Sequence, residues 1–404
     1  MHITEQTDLL PPGRPERPVR RLTGRGRPSA RPLPLRRLWL LTLLPVGGIL
    51  LAAARGSTAF AEWYAVRVYP ALSGALGLLT GLFPFSLCEL LLVLLIPALL
   101  LWTVRLVRSI LPRRGSGLCP DGGVRWKGFL ARSGIWLAAA VSCIWLAYVL
   151  LCGINYSRQT YSYHSGLTLR ESDSGELALL CEELIQNTNA ARERVLEDEE
   201  GCMRLSRSVE RTAQAARDSY KRLGESQPVL SGIYGRVKPV FFSRLMSYTG
   251  ITGVYFPFTV EANVNVDIPA YSIPSTMCHE LTHLKGFMRE DEANFIGYLA
   301  CVGSDNPDFV YSGYALAVIH SMNALYQADY DAFARLAQTY SPAVLRDFEA
   351  NSAYWKGFEG PVSEISDAVN DGYLKANQQT DGVQSYGRMV DLLLADYRSR
   401  HGLT

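Results

Sequence analysis

The sequence predicts an α-helical membrane anchor of three transmembrane helices, joined to a mainly α (α+β) domain on the extracytoplasmic side. Three observations carry this prediction. Three long apolar runs fall within the first 153 of the 404 residues. Where they end the charge reverses: up to Cys152 there are 18 Lys and Arg against 6 Asp and Glu, and from Gly153 onward 22 against 32. The acidic half also holds a His-Glu-x-x-His motif, His279 to His283, in a stretch compatible with a helix.

Residues 1–37 carry nine arginines and seven prolines, a composition that cannot bury enough apolar surface to order itself. They are expected to form a basic cytoplasmic tail. The tail adjoins a hydrophobic span and no nucleic-acid-reading motif accompanies it, so no nucleic-acid partner is expected.

Residues 38–153 form the membrane part, with the lipid bilayer as its partner. Leu38 to Ala54 is a short first span. Ala52-Ala53-Ala54 resembles a signal-peptide cleavage site, but the long preceding tail and the later spans favour an uncleaved anchor. Glu62 to Leu82 is mixed, with Trp63, Tyr64 and Tyr69 suited to the membrane interface. Phe85 to Val104 is the second span, with Glu89 expected at interface depth. A basic segment, Arg105 to Arg132, precedes the third span, Gly134 to Gly153. Excess Lys and Arg mark the cytoplasmic side, so three crossings place everything after Gly153 outside a multi-pass cell-membrane protein.

Residues 154–404 form the soluble domain. Helices are expected around Glu176–Ile185 and Val209–Leu223, and the run Glu197–Glu200 reads as a solvated connection. Val237 to Ile268 shifts to strand and turn character. Within it, Glu261, Asn263, Asn265 and Asp267 alternate with apolar residues as in an edge strand with one wet face, able to pair with an extended peptide. Cys181, Cys202, Cys278 and Cys301 could form disulfides outside the cell, with no connectivity implied by their spacing.

His279 and His283, four residues apart, share one helix face and offer two imidazoles to zinc. Glu280, one position round, is the expected general base. Pro269 and Pro274 bracket the preceding turn, Ser272 or Ser275 is the expected cap, and Gly286 ends the helix. Glu290 is the preferred third ligand, since Asn294 lies one turn later and can hydrogen-bond a ligating histidine. Glu292 is the alternative, with Asp291 and His320 ranked below both. Tyr373, Lys375 and Tyr386 are candidates for stabilising an oxyanion. His2, His164 and His401 are assigned no role.

The stretch HELTHLKGFMREDEANFIGYLA resembles the metal site of gluzincins, zinc peptidases with HExxH and a downstream Glu in an ExxA[D/N] helix, as in membrane-embedded CAAX-type and heat-shock peptidases. Glu290 to Asn294 fits ExxAN, but Glu290 follows His283 by only seven positions, which keeps Glu292 in consideration. Over residues 38–400 the chain resembles an uncharacterised bacterial family with three membrane helices. That family shares a GINY-like exit (Gly153 to Tyr156), a HELxHxxGFxxEDEANF core and a YLKANxQxxGVxSY tail, and is a domain of unknown function. The resemblance implies a zincin-like membrane protein and names no substrate.

These readings converge on a membrane-anchored zinc metallopeptidase (Zn2+ on His279, His283 and Glu290; Glu280 as base) that hydrolyses peptide bonds, with a cell-envelope protein or peptide as substrate. The competing class is a non-catalytic, membrane-anchored zinc-containing binding or sensory module.

Overall fold

The computed structural model describes residues 33–111, 122–233, 235–379 and 388–403. Most of the basic tail, the middle of the Arg105–Arg132 segment, and Tyr386 lie outside the described residues. A 3-10 helix (Leu35–Thr42) leads into α1 (Leu43–Gly56), followed by α2 (Thr58–Arg67), α3 (Tyr69–Thr80), α4 (Leu87–Ile110) and α5 (Gly122–Leu151). Three segments, Leu35–Gly56, Leu87–Ile110 and Trp126–Ser157, are long and apolar enough to cross a membrane. Cys88 is the one buried residue of α4, and so continuous an exposed apolar surface suits lipid rather than water.

After the third span come α6 (Tyr161–Ser165), α7 (Ser174–Arg192), a hairpin of β1 (Leu196–Glu197) and β2 (Met203–Arg204), and α8 (Val209–Ser226). Next are β3 (Val237–Pro239), α9 (Ser243–Ser247), β4 (Gly253–Phe256), β5 (Glu261–Val264), α10 (Ser272–Leu284) and α11 (Glu290–Val302). The chain closes with α12 (Pro307–Ala328), α13 (Tyr330–Ala337), α14 (Pro342–Lys356), α15 (Pro361–Ala376) and α16 (Met389–His401). Local sequence starts many of these helices: Asp173, Ser208, Asn306, Asp329 and Ser341 each accept a first-turn N–H. The acidic run expected as a connection forms the β1–β2 turn, where Asp198 accepts from the Cys202 amide.

Helix α10 runs through the middle of the domain against α8, α11, α12 and the three-stranded sheet. Its Met277 and Leu281, with Phe295 and Ile296 of α11 and Phe309 of α12, are fully buried. Each such side chain contributes about 1.5–3 kcal/mol through removal from water. The near absence of wet residues on α10 follows from this central position. It also means that polar side chains there must find partners inside the protein.

One strand expectation needs correction. The sheet order is β3-β5-β4, with β3 parallel and β4 antiparallel to β5. The strand before the metal helix is therefore central, not an edge, and Glu261 to Val264 are all buried. The alternating polar residues face internal partners instead of water. Glu261 pairs with Lys238 at 2.6 Å, Asn263 donates to the Val254 carbonyl, and Asn265 donates to Ser247 Oγ. The two edge strands are β3 and β4.

The part of the chain after the third span is fastened to the ends of the spans. Lys238 Nζ donates to the Thr80 and Phe85 carbonyls at 3.0 and 2.9 Å, while Glu261 accepts the Leu87 and Cys88 amides at the start of α4. A carboxylate there also complements the helix dipole. Glu89, in the first turn of α4, accepts the Phe241 and Phe242 amides. The stretch from Glu62 to Leu82 is largely helical and packs on the domain: Glu62 pairs with Arg158 at 3.3 Å, and Tyr69 Oη donates to the His283 carbonyl at 3.3 Å. The end of the first span, the start of the second and the end of the third thus meet the domain on one side.

Candidate metal centre

The metal helix starts without the expected serine cap. Tyr271 is its N-cap residue and makes no side-chain cap. Ser272 is already helical, and the Ser275 amide donates to Ser312 Oγ of α12 at 2.9 Å. Tertiary packing supplies what a local cap would have supplied. Pro274 falls in the first turn, where a missing N–H breaks no helical bond. At the other end Gly286 has φ +81°, the left-handed conformation that closes a helix. A Cβ there would come within 3.1 Å of the Tyr69 ring and the Asn155 amide. The reversal sends the chain through Phe287 and into α11.

This turn brings three donors together. His279 Nε2 and His283 Nε2 are 3.1 Å apart, and Glu290 Oε2 lies 3.1 Å from the first and 3.8 Å from the second. Tetrahedral zinc with bonds of about 2.0–2.1 Å holds its ligand atoms about 3.3–3.4 Å apart, so the spacing fits that ion. The outer nitrogens are engaged. His279 Nδ1 donates to Asn294 Oδ1 and His283 Nδ1 to the Phe287 carbonyl, both at 2.8 Å. Protonation at Nδ1 turns both Nε2 atoms toward the shared centre, facing a carboxylate, and makes them available as ligands once His279 gives up its second proton. Three potential ligand atoms this close together form a candidate cation site.

Glu290 begins α11, and Asn294 lies one turn on along the same face. Glu292 turns away, accepting the Tyr161 amide at 2.7 Å and pairing with Arg289. Close packing of the two helices rests on Gly297, where a Cβ would come within 3.1 Å of the His279 amide nitrogen. From behind, Tyr220 of α8 donates to the Cys278 carbonyl at 2.7 Å and also contacts Thr282.

Glu280 projects toward β4 and takes a hydrogen bond from the Tyr255 amide. Its Oε2 is buried without a partner among the described residues. A Cβ at Gly253 would overlap this carboxylate, so the edge strand can approach only because that residue has no side chain. Burial pushes the Glu280 carboxyl up to about 8. Burial also lowers both imidazoles. Glu290 overcomes this at His279, which lies at about 9, but not at His283, which falls to about 4.

The centre opens into a cleft of about 580 Å³, lined among others by Gly253, Tyr255, His320, Asn370 and Tyr373. His320 reaches the cleft from α12 but stands outside the three-donor cluster. Tyr373 accepts a hydrogen bond from Tyr156 Oη at 3.3 Å. Lys375 turns outward to Asp371 at 2.7 Å. Elsewhere His164 pairs with Glu62 and His401 with Glu183, and Cys181, Cys202, Cys278 and Cys301 are all free.

Sequence reasoning missed Tyr69, Tyr220 and Gly253. Tyr69 and Tyr220 lie 59 or more positions from His279 and carry no local pattern, and a glycine in a strand gives no hint of the carboxylate beside it. No curated protein and no solved structure matches the chain. The family described as "Protein of unknown function (DUF3810)" matches residues 64–394, from α2 into α16. With all but the first span inside that match, the chain belongs to the DUF3810 family.

Proposed function

We propose that the protein is a membrane-anchored, zinc-dependent hydrolase of peptide bonds, acting outside the cytoplasm on proteins or peptides of the cell envelope. The observation that carries the reading is the coincidence of three protein donors at tetrahedral spacing, an unpartnered buried carboxylate oxygen on Glu280, and an open cleft over both. A structural zinc site is closed by four protein ligands, whereas a catalytic one keeps a position open. Among the described residues the cluster has three members, which favours hydrolysis over a binding or sensory module.

His279, His283 and Glu290 would hold the metal. Zinc, when bound, acidifies water and polarises a carbonyl. Asn294 and the Phe287 carbonyl fix the imidazole rings, so the donor atoms need no reorganisation. Glu280 Oε2 is the atom available to accept a proton, while the Tyr255 amide holds the rest of the carboxylate in place. The outer edge of β4, with its Tyr255 amide already held by Glu280, borders the cleft and can take an extended peptide by strand addition along the rest of its length. That role moves from β5, where it was expected, to β4. His320 and Tyr373 line the same space and, among the described residues, are candidates to meet a developing oxyanion.

Metal analysis and activity of purified protein test the reading. His279→Ala should lose zinc, and Glu280→Gln should keep zinc and lose hydrolysis of an envelope-protein digest. A Glu280→Gln protein with zinc and full activity would refute the mechanism. A reporter fused after Thr404 should signal outside the cytoplasm, and a cytoplasmic signal would overturn the envelope assignment.

A further inference from the structure

The cleft is roofed by α15. Ser366, Asp367, Asn370 and Tyr373 line the cleft. On the side adjoining them Val362, Ile365 and Val369 recur at i, i+3 and i+7, and all are exposed, Ile365 by 66% and Val369 by 67%. Near the other end of the roof, Phe241 is exposed by 85%, with Phe242 and Leu245 beside it. Two apolar patches flanking one polar cleft require a covering that water does not provide.

Their attachments say what the covering is. At the C-terminal end of α15, Arg55, from the end of the first span, donates to the Ala376 carbonyl at 2.8 Å. Tyr148, within the third span, donates to Asn377 Oδ1 at 2.5 Å. At the N-terminal end, Phe358 packs edge-to-face against Tyr248 with ring centroids 4.9 Å apart. Tyr248 follows α9, and the chain entering α9 is bound through the Phe241 and Phe242 amides to Glu89, at the start of the second span. Both ends of α15 are therefore tied to the level at which the spans leave the membrane. A helix of 16 residues, about 24 Å long, held at both ends to one level lies along it.

We infer that α15 and the Phe241–Leu245 segment are an interfacial lipid-docking surface: the valines and isoleucine of α15 and the two phenylalanines enter the bilayer boundary, and the cleft opens beside the lipid. The metal centre is itself close to that level, since Cys152 and Tyr156 at the end of the third span line the same cleft. On the hydrolysis reading, on which this consequence rests, the substrate is a peptide segment adjoining a transmembrane or lipid anchor. Such a segment reaches the cleft without leaving the membrane surface, whereas a freely diffusing peptide gains nothing from the arrangement.

The test uses full-length protein reconstituted in phospholipid vesicles, with photoreactive benzoylphenylalanine replacing Ile365, Val369 or Phe241 in turn. Leu196, exposed on the β1–β2 hairpin, serves as the control. All four side chains already face outward, and an unfolding curve matching the parent's certifies each variant. Illumination should give phospholipid adducts at Ile365, Val369 and Phe241 at least about tenfold above those at Leu196, since only side chains buried in the headgroup and acyl boundary meet lipid. Adducts at control level, or adducts to protein in place of lipid, would overturn the proposal. The readout needs no turnover, so its failure leaves the zinc-hydrolase reading standing, and loss of that reading leaves the lipid adducts unexplained by anything but docking.

Discussion

The hydrogen bond from His279 to Asn294 offers a quantitative test of the metal centre. At 2.8 Å, Asn294 Oδ1 fixes the ring orientation of His279 and keeps the proton on Nδ1. Asn294→Ala removes that restraint while leaving all three donor atoms in place. Loss of such a partner costs about 10–100-fold in metal affinity, or about 1.4–2.7 kcal/mol. The amide nitrogen of Asn294 has no partner among the described residues, so Asn294→Asp sacrifices no hydrogen bond and places a stronger acceptor on the imidazole. Zinc competition titration of purified protein should therefore rank the Asp variant at or above the parent and the Ala variant at least tenfold below. An unchanged affinity in Asn294→Ala, or an Asp variant as weak as Ala, would show that the three donors do not bind the ion as the geometry implies.

Zinc affinity should also depend on pH. His279 holds its proton up to about pH 9 beside Glu290, and zinc must displace it. Affinity is expected to climb by up to about tenfold per pH unit and to level off above pH 9, and calorimetry in buffers of different ionisation enthalpy should count the released proton; a flat profile would refute this. Lys238→Met takes the cation from the Glu261 carboxylate buried between β3, β5 and α4, leaving it the hydrogen bonds from Leu87, Cys88 and Thr259; both ion-pair partners are about 1% exposed. Unfolding in detergent should show a loss of about 3–5 kcal/mol, and less than about 1 kcal/mol would contradict the burial argument. Burial alone would raise the Glu62 carboxyl, but His164 and Arg158 bring it down to about 2 from an ordinary 4.5. Its folded-state pKa is depressed, so its contribution is complete above about pH 4.5 and disappears as pH falls through about 2. Glu62→Gln should flatten the stability profile across that window, and an unchanged slope would rule the pair out as its source.

Much of the centre was readable in the chain because its chemistry is local. A spacing of four puts His279 and His283 on one face of any helix, and Gly286 is the residue that tolerates the left-handed turn which ends it. The apolar runs were equally plain, since a span needs only length and composition, and the segments found start and end within a few residues of those expected for the first two. The third begins eight residues earlier, because the helix continues through Trp126 and Lys127 of the basic segment.

Other features were misread for an identifiable reason. Alternating Glu, Asn and apolar residues in β5 look the same whether the polar face meets water or a buried Lys238, and only the position of β3 and α4 distinguishes the two. The Asn294 spacing favours Glu290 over Glu292 in the sequence, and Glu290 is the carboxylate beside the histidines because of how α11 is rotated against α10, which Gly297 permits. By itself the sequence determined the helices, the spans and the two-histidine motif, all products of periodicity over a few turns. Tertiary structure alone decided which strand edge borders the cleft, which carboxylate joins the histidines, and how near the centre lies to the ends of the spans. Those relations are distances between segments far apart in the chain, set by packing and by the need of each buried polar group to find a partner.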